Sequence, residues 1–193
     1  MIDRLLVVPR WSGHADSDFY PWLAAQLADS GFKGQVECVA LRRPDEPDLE
    51  LTVSAVRSRI GSADRAQRTV IMGHSVGAQA VMRAVARLPA SVTIGAVVLV
   101  AAWWTVHEPW PSLLPWIETP FDWRAVTQRA RARHVLLSTN DPFTPDSAQS
   151  RRLFESRIDA EVRICDGAEH FNAPEQPRVL EAIQKLVSAH TGI

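Results

Sequence analysis

The sequence predicts a doubly wound α/β domain, and two observations carry that reading. Short, nearly continuous apolar runs recur along the chain, such as Leu5-Leu6-Val7-Val8 and Val97-Val98-Leu99-Val100. Strands buried on both faces read this way, because helices cover each side of a parallel sheet. Longer segments of helical periodicity lie between these runs, so strand and helix alternate. The 193 residues suffice for one domain with a sizeable core and are too few for two.

Taken in order, the first strand is Arg4–Val8. A helix over Phe19–Ser30 follows and stops at Gly31, which tolerates the left-handed backbone of a helix end. The second strand spans Gln35–Leu41. The next helix, Leu51–Ile60, has Asp48 as its capping candidate and Gly61 as its stop. The third strand, Arg68–Met72, leads into a helix over Val76–Leu88. That helix places Val76, Ala80, Val81, Ala84, Val85 and Leu88 on one stripe. The later strands are Gly95–Val100, His134–Leu137 and Glu161–Cys165. The last two helices, Pro145–Arg157 and Pro174–Ala189, each open with a proline near the first turn, where its missing N–H costs nothing. The result is about six mostly parallel strands with helices on both faces and right-handed crossovers. Ala101–Trp123 breaks the pattern. It holds five tryptophans (103, 104, 110, 116 and 123) and prolines at 109, 111, 115 and 120. It reads as a loop excursion on top of the sheet.

Composition narrows the function classes. Apolar residues make up 46% and charged residues 22%, as in globular proteins, and the formal net charge is −1. That balance argues against a nucleic-acid partner or an anionic membrane. Arg129, Arg131 and Arg133 read as a solvated helix face. No apolar stretch approaches the ~20 residues of a membrane span, and no basic region precedes a long apolar one at the N-terminus. A cytoplasmic location is the default expectation. Cys38 and Cys165 sit in strand-like runs and read as two buried thiols rather than a disulfide. The pattern carries no signal for an oligomeric state.

The chemistry begins after the third strand. Gly73-His74-Ser75-Val76-Gly77 is G-x-S-x-G between a strand and a helix. A serine on so sharp a turn points its hydroxyl out of the fold, and glycines on either side let strand and helix approach closely. The helix N-terminus supplies free N–H groups, so the Val76 N–H is the first candidate oxyanion donor. The plain alternative is a glycine-rich turn that binds an anion.

In α/β-hydrolases the order is nucleophile, acid, histidine, each past the carboxyl end of a strand. Ser138-Thr139-Asn140-Asp141-Pro142-Phe143 follows the fifth strand, which makes Asp141 the best-placed acid. Asp146 looks like a helix-terminus residue. Asp166 shares the loop of the histidine and stands only four residues before it. His170, in Asp166-Gly167-Ala168-Glu169-His170-Phe171-Asn172, is the histidine that fits the order. His74 lies inside the elbow and points elsewhere, His14, His107 and His134 precede Asp141, and His190 lies near the C-terminal end. The expected catalytic set is Ser75, Asp141 and His170.

On these residues the chain resembles the small, cap-less serine hydrolases related to retinoblastoma-binding protein nine, the YdeN-like family. The resemblance runs over roughly residues 4 to 187. It rests on Val8-Pro9 with Trp11, Gly73-His74-Ser75-Val76-Gly77-Ala78, Ser138 through Phe143, and Glu169-His170-Phe171-Asn172-Ala173. It implies a compact α/β-hydrolase fold with no separate cap domain, and it carries the triad onto Ser75, Asp141 and His170. It also implies that the turn after the first strand supplies a second oxyanion N–H, from Trp11. The family has glycine after the proline, where this chain has Arg10.

The tryptophan-rich stretch should overhang the site. Trp103, Trp104, Phe143 and Phe171 are therefore pocket candidates, with plain packing as the alternative. Arg10 reads as a solvated side chain, with a substrate carboxylate as its other possible partner. The resulting expectation is a serine hydrolase, carboxylesterase-like, that acts on a small carboxylic ester, thioester or amide. It needs no cofactor and no metal, because no histidine or cysteine pair has ligand spacing. The competing reading is a hydrolase-fold protein with an idle triad that binds other proteins, and Arg10 is the feature that favours it. A nucleotide-binding domain is disfavoured, since neither G-x-G-x-x-G nor G-x-x-x-x-G-K-[ST] follows a strand.

Overall fold

The apolar runs pair into one six-stranded sheet in the computed structural model, which describes residues 1–188. The strands are β1 (Arg4–Val8), β2 (Gln35–Cys38), β3 (Thr69–His74), β4 (Ile94–Val100), β5 (Ala130–Ser138) and β6 (Glu161–Cys165). Their order is β2-β1-β3-β4-β5-β6, and every pair is parallel. The helices are α1 (Tyr20–Asp29), α2 (Leu49–Ile60), α3 (Ala63–Gln67), α4 (Val76–Ala86), α5 (Leu114–Glu118), α6 (Arg124–Arg129), α7 (Ser147–Ile158) and α8 (Pro177–Ser188). Among the described residues this is a compact α/β-hydrolase sheet without a separate cap.

β1, β3 and β4 are buried at every position, as continuous apolar runs require. Alternate residues feed two cores. Leu6, Val8, Ile71, Val97, Leu99 and Val135 face α2, α4, α6 and α7. Leu5, Val7, Val70, Met72, Val98 and Leu136 face α1 and α8. The edges β2 and β6 are only half-buried and carry charge, which protects them from pairing with another chain. On the β2 edge, Glu37 accepts from the buried Arg4 at 2.8 Å and from Arg59 at 2.6 Å.

Local signals set several ends. Asp48 accepts from the Leu51 N–H at 2.8 Å, and Gly61 ends α2 at φ +82°. The last two helices start later than expected, at Ser147 and Pro177, so Pro145 and Pro174 lie outside them. The expected end of the last helix, Ala189, and His190 lie outside the described residues.

Four expectations need correction. β2 ends at Cys38 rather than Leu41, while β5 begins four residues early, at Ala130. The arginine run is therefore no helix face. Arg129 closes α6, whereas Arg131 and Arg133 sit on β5. There Arg133 donates to the Ala130 carbonyl (2.6 Å) and to Asp159 (3.0 Å). Second, α3 and α6 are too short to show periodicity, and neither was expected.

Third, α4 is buried around nearly its whole circumference, not along one stripe. Its polar residues hold the tryptophan-rich segment. Gln79 donates to the Trp103 carbonyl, and Arg83 donates to the Trp116 carbonyl at 2.7 Å. The Arg83 guanidinium also lies 4.5 Å from the Phe121 ring centroid, and burial draws its pKa down to about 10. Fourth, the segment is not a plain loop, because a 3-10 turn over Pro111–Leu113 runs into α5. The Trp116 indole N–H donates to the Pro47 carbonyl at 3.0 Å. These bonds satisfy buried backbone groups that an irregular segment would otherwise strand.

Candidate active site

The strand order reverses between β1 and β3: from β1 the chain goes to β2 on one side and, later, to β3 on the other. Loops diverge at such a switch point and leave a crevice at the carboxyl ends of the strands. β1 ends there in Pro9-Arg10-Trp11, and β3 ends there in His74-Ser75.

Ser75 has φ +56° and ψ −118°, a conformation worth on the order of 1–3 kcal/mol of strain for a non-glycine residue. Its N–H is anchored on the Val100 carbonyl at 2.8 Å. The turn closes because the flanking positions lack side chains. A Cβ on Gly73 would stand 2.6 Å from the Ala78 Cα, and one on Gly77 would stand 2.6 Å from the Pro9 carbonyl oxygen. Val76 is the first residue of α4, so its N–H has no intrahelical acceptor.

Asp141 is buried past the end of β5, and both its oxygens are used. Oδ2 meets His170 Nδ1 at 2.9 Å, and Oδ1 accepts the Phe143 N–H at 2.9 Å. A carboxylate only accepts, so Nδ1 carries the proton and Nε2 is left as the basic nitrogen. His170 is itself buried, in a loop whose neighbours Glu169 and Phe171 both have positive φ. The Glu169 N–H donates to Asn140 Oδ1 at 2.9 Å, and the Phe143 ring packs steeply tilted against the imidazole with centroids 4.7 Å apart. The other two acids serve elsewhere. Asp146 caps α7 through the Gln149 N–H, and Asp166 accepts from the Thr139 hydroxyl.

Ser75 and His170 line one cavity of about 230 Å³, together with Arg10, Trp11, Val76, Trp103, Trp110 and Phe143. The Ser75 hydroxyl makes no hydrogen bond to His170 here. Nucleophile–base contacts are often looser without substrate.

The turn after β1 is fixed by Arg10, which is half-buried and already paired rather than a free solvated side chain. Its guanidinium grips Asp18 with two bonds, 2.7 and 3.0 Å, and donates to the Trp11 carbonyl at 2.7 Å. The Trp11 N–H has no hydrogen-bond partner among the described residues, and the Trp11 indole is held by the Asp45 carbonyl at 2.9 Å.

Of the four pocket candidates, Trp103 and Phe143 line the cavity, and Trp104 and Phe171 do not. Trp104 packs against Phe121 and Phe154 with Arg157 over its ring, and it lines a different hollow. Phe171 is fully buried in the core on the α1 and α8 side. Trp103 and Trp104 both lie beyond the end of β4, and the chain turns Trp103 toward the Ser75 cavity and Trp104 toward Phe154 of α7. Sequence reading missed Val106, Trp110, Leu113 and Asn172 on the cavity wall. It also missed Tyr20. The Tyr20 hydroxyl lies 2.8 Å from His74 Nδ1, and His74 Nε2 lies 2.8 Å from the His170 carbonyl oxygen. For Trp110 the signal was its place in the tryptophan-rich segment. Tyr20 gave none.

No group of three or more candidate metal ligands occurs among the described residues, and none of their helices is long and apolar enough to cross a membrane.

The sequence model of the serine hydrolase family matches residues 5–189. The YdeN protein of Bacillus subtilis is 22% identical over 193 residues, which cover 98% of this chain and 97% of that one. The crystal structure of the ydeN gene product superposes with a TM-score of 0.84 at 21% identity, covering 96% and 99% of the two chains. The esterase RhEst1 from a Rhodococcus species shares the fold at a TM-score of 0.69 and 14% identity, covering 97% and 91%. The chain belongs to the serine hydrolase family.

Proposed function

We propose that this serine hydrolase cleaves a small, uncharged carboxylic ester, with thioesters or amides as related substrates, through a Ser75–His170–Asp141 triad and an acyl-enzyme. The observation that carries this reading is the buried 2.9 Å pair between Asp141 and His170 in a loop beside a serine held at positive φ. Three strand ends that are far apart in sequence converge on one cavity.

His170 Nε2 takes the Ser75 proton as Oγ attacks the carbonyl carbon, then returns it to the leaving group. Asp141 holds the tautomer and stabilises the imidazolium. The Val76 and Trp11 N–H groups receive the oxyanion, each contributing on the order of 3 kcal/mol. Water then attacks the acyl-enzyme carbonyl with His170 again as base, the acyl–Ser75 Oγ bond breaks to release the acid, and His170 returns the proton to Ser75 Oγ. The wall of Trp11, Trp103, Val106, Trp110, Leu113 and Phe143 favours an apolar acyl group. The charge of Arg10 is already matched by Asp18, so nothing there calls for a substrate carboxylate.

Arg10 was the feature that favoured a binding module with an idle triad. Its clamp on Asp18 and the Trp11 carbonyl supports a held oxyanion turn instead. The test is labelling with a fluorophosphonate probe, wild type beside Ser75→Ala and His170→Ala. Labelling of the wild type alone supports the activated nucleophile. A folded wild type that does not label overturns it and brings the binding role forward.

A further inference from the structure

His74 and Tyr20 belong to neither the triad nor the cavity wall, yet they link the turn after β1 to the His170 loop. His74 is fully buried. Burial, then the neighbouring His170, pushes its pKa down to about 3, so the ring is neutral. A carbonyl oxygen can only accept, so His74 Nε2 carries the proton and donates to the His170 carbonyl at 2.8 Å. His74 Nδ1 is then the acceptor, and the Tyr20 hydroxyl donates to it at 2.8 Å. The Tyr20 oxygen in turn accepts the Arg10 N–H at 3.1 Å. Every proton in the chain is assigned by its partners. Burial also raises the Tyr20 phenol far above its ordinary range, which keeps the hydroxyl a donor.

We propose that Tyr20 and His74 are positioning residues for the reaction above: one unbroken hydrogen-bond relay sets the oxyanion turn and the His170 loop in register about Ser75. The relay starts on the residue before Trp11, passes through the residue before Ser75, and ends on the backbone of His170. The proposal rests on the serine-hydrolase reading. The His170 loop has positive φ on both sides of the histidine, so its backbone needs external holds: Asn140 takes the Glu169 N–H, and His74 holds the His170 carbonyl itself. The phenol also packs edge-on against the His74 ring, with centroids 5.9 Å apart. Loss of the hydroxyl alone therefore removes the relay and leaves the packing.

The experiment measures fluorophosphonate labelling per active site, with the number of sites taken from saturation. Tyr20→Phe is expected to saturate at the wild-type stoichiometry and to label about tenfold to a hundredfold more slowly per site. Its kcat for p-nitrophenyl acetate should fall alike, with KM within about twofold of wild type. His74→Gln keeps an N–H donor for the His170 carbonyl, so it should label faster than His74→Ala. A Tyr20→Phe variant with fewer sites but the wild-type rate at each site has only a structural defect, and that result overturns the proposal. If Tyr20→Phe does not fold, the His74 pair decides, and equal rates for Gln and Ala overturn the proposal. A folded wild type that does not label removes the hydrolase reading itself, and the relay with it.

Discussion

Asp141→Asn separates the acid proposed here from its neighbours, and the structure sets the size of the effect. Asp141 Oδ1 accepts the Phe143 N–H at 2.9 Å, so the amide oxygen of an asparagine is held at that position. The amide NH2 then faces His170 Nδ1, where Oδ2 stood at 2.9 Å. Two donors cannot meet, so the imidazole shifts its proton to Nε2 and cannot accept from Ser75. Turning the amide restores the tautomer, but it leaves the Phe143 N–H facing NH2 at a buried site, at about 1–3 kcal/mol. The competent form is thereby reduced about tenfold to a hundredfold, and it also lacks the carboxylate charge that stabilises the imidazolium. Together these should lower kcat on the order of 10³- to 10⁴-fold, about 4–5.5 kcal/mol. The assay is p-nitrophenyl acetate hydrolysis with active sites titrated by fluorophosphonate. Asp146→Asn and Asp166→Asn serve as controls and should stay within about threefold of wild type, because those carboxylates cap α7 and bind Thr139. An Asp141→Asn enzyme within tenfold of wild type, or an equal loss in Asp166→Asn, refutes the assignment.

Trp110→Ala should weaken turnover of longer acyl esters more than of acetate, since Trp110 lines the cavity, whereas Trp104→Ala should act equally across chain lengths. A chain-length series of p-nitrophenyl esters checks both, and selectivity lost on Trp104→Ala would place it in the acyl site after all. The folded-state pKa of His74, about 3, lies below its unfolded value of about 6.5, so the unfolded chain takes up the proton first. Its contribution to stability is complete above about pH 7 and declines as pH falls from about 6.5 toward 3, by about 2 kcal/mol at pH 5. Urea denaturation at pH 7 and pH 5 should show this loss, and a smaller loss in His74→Gln; equal losses in both proteins would exclude His74 as the source. Burial pushes the Cys38 thiol up to about 11 and raises Cys165 as well, so iodoacetamide at pH 7.5 should label the folded protein far more slowly than the unfolded one. Equal alkylation rates in the two states would contradict this.

Short-range pattern was enough for much of this molecule. Apolar runs marked β1, β3 and β4, because strands buried on both faces need side chains of one kind throughout. Asp48 and Gly61 marked the ends of α2, because capping and positive φ are demands made by the local backbone. The elbow and the two later loops were marked by residue type and order along the chain. What sequence could not supply was the set of partners chosen by sheet order. Gln79 finds the Trp103 carbonyl, and Tyr20 finds His74 and, through it, His170. Arg131 and Arg133 went to a strand, because pairing with β4 outweighs a charged run's weak helical signal. Trp103 and Trp104 look alike in sequence, but Trp103 lines the Ser75 cavity with its carbonyl held by Gln79 of α4, while Trp104 packs elsewhere. Periodicity and turn chemistry are written in neighbouring residues, whereas hydrogen bonds between residues as distant as 74 and 170 exist only after the sheet has brought their strand ends together.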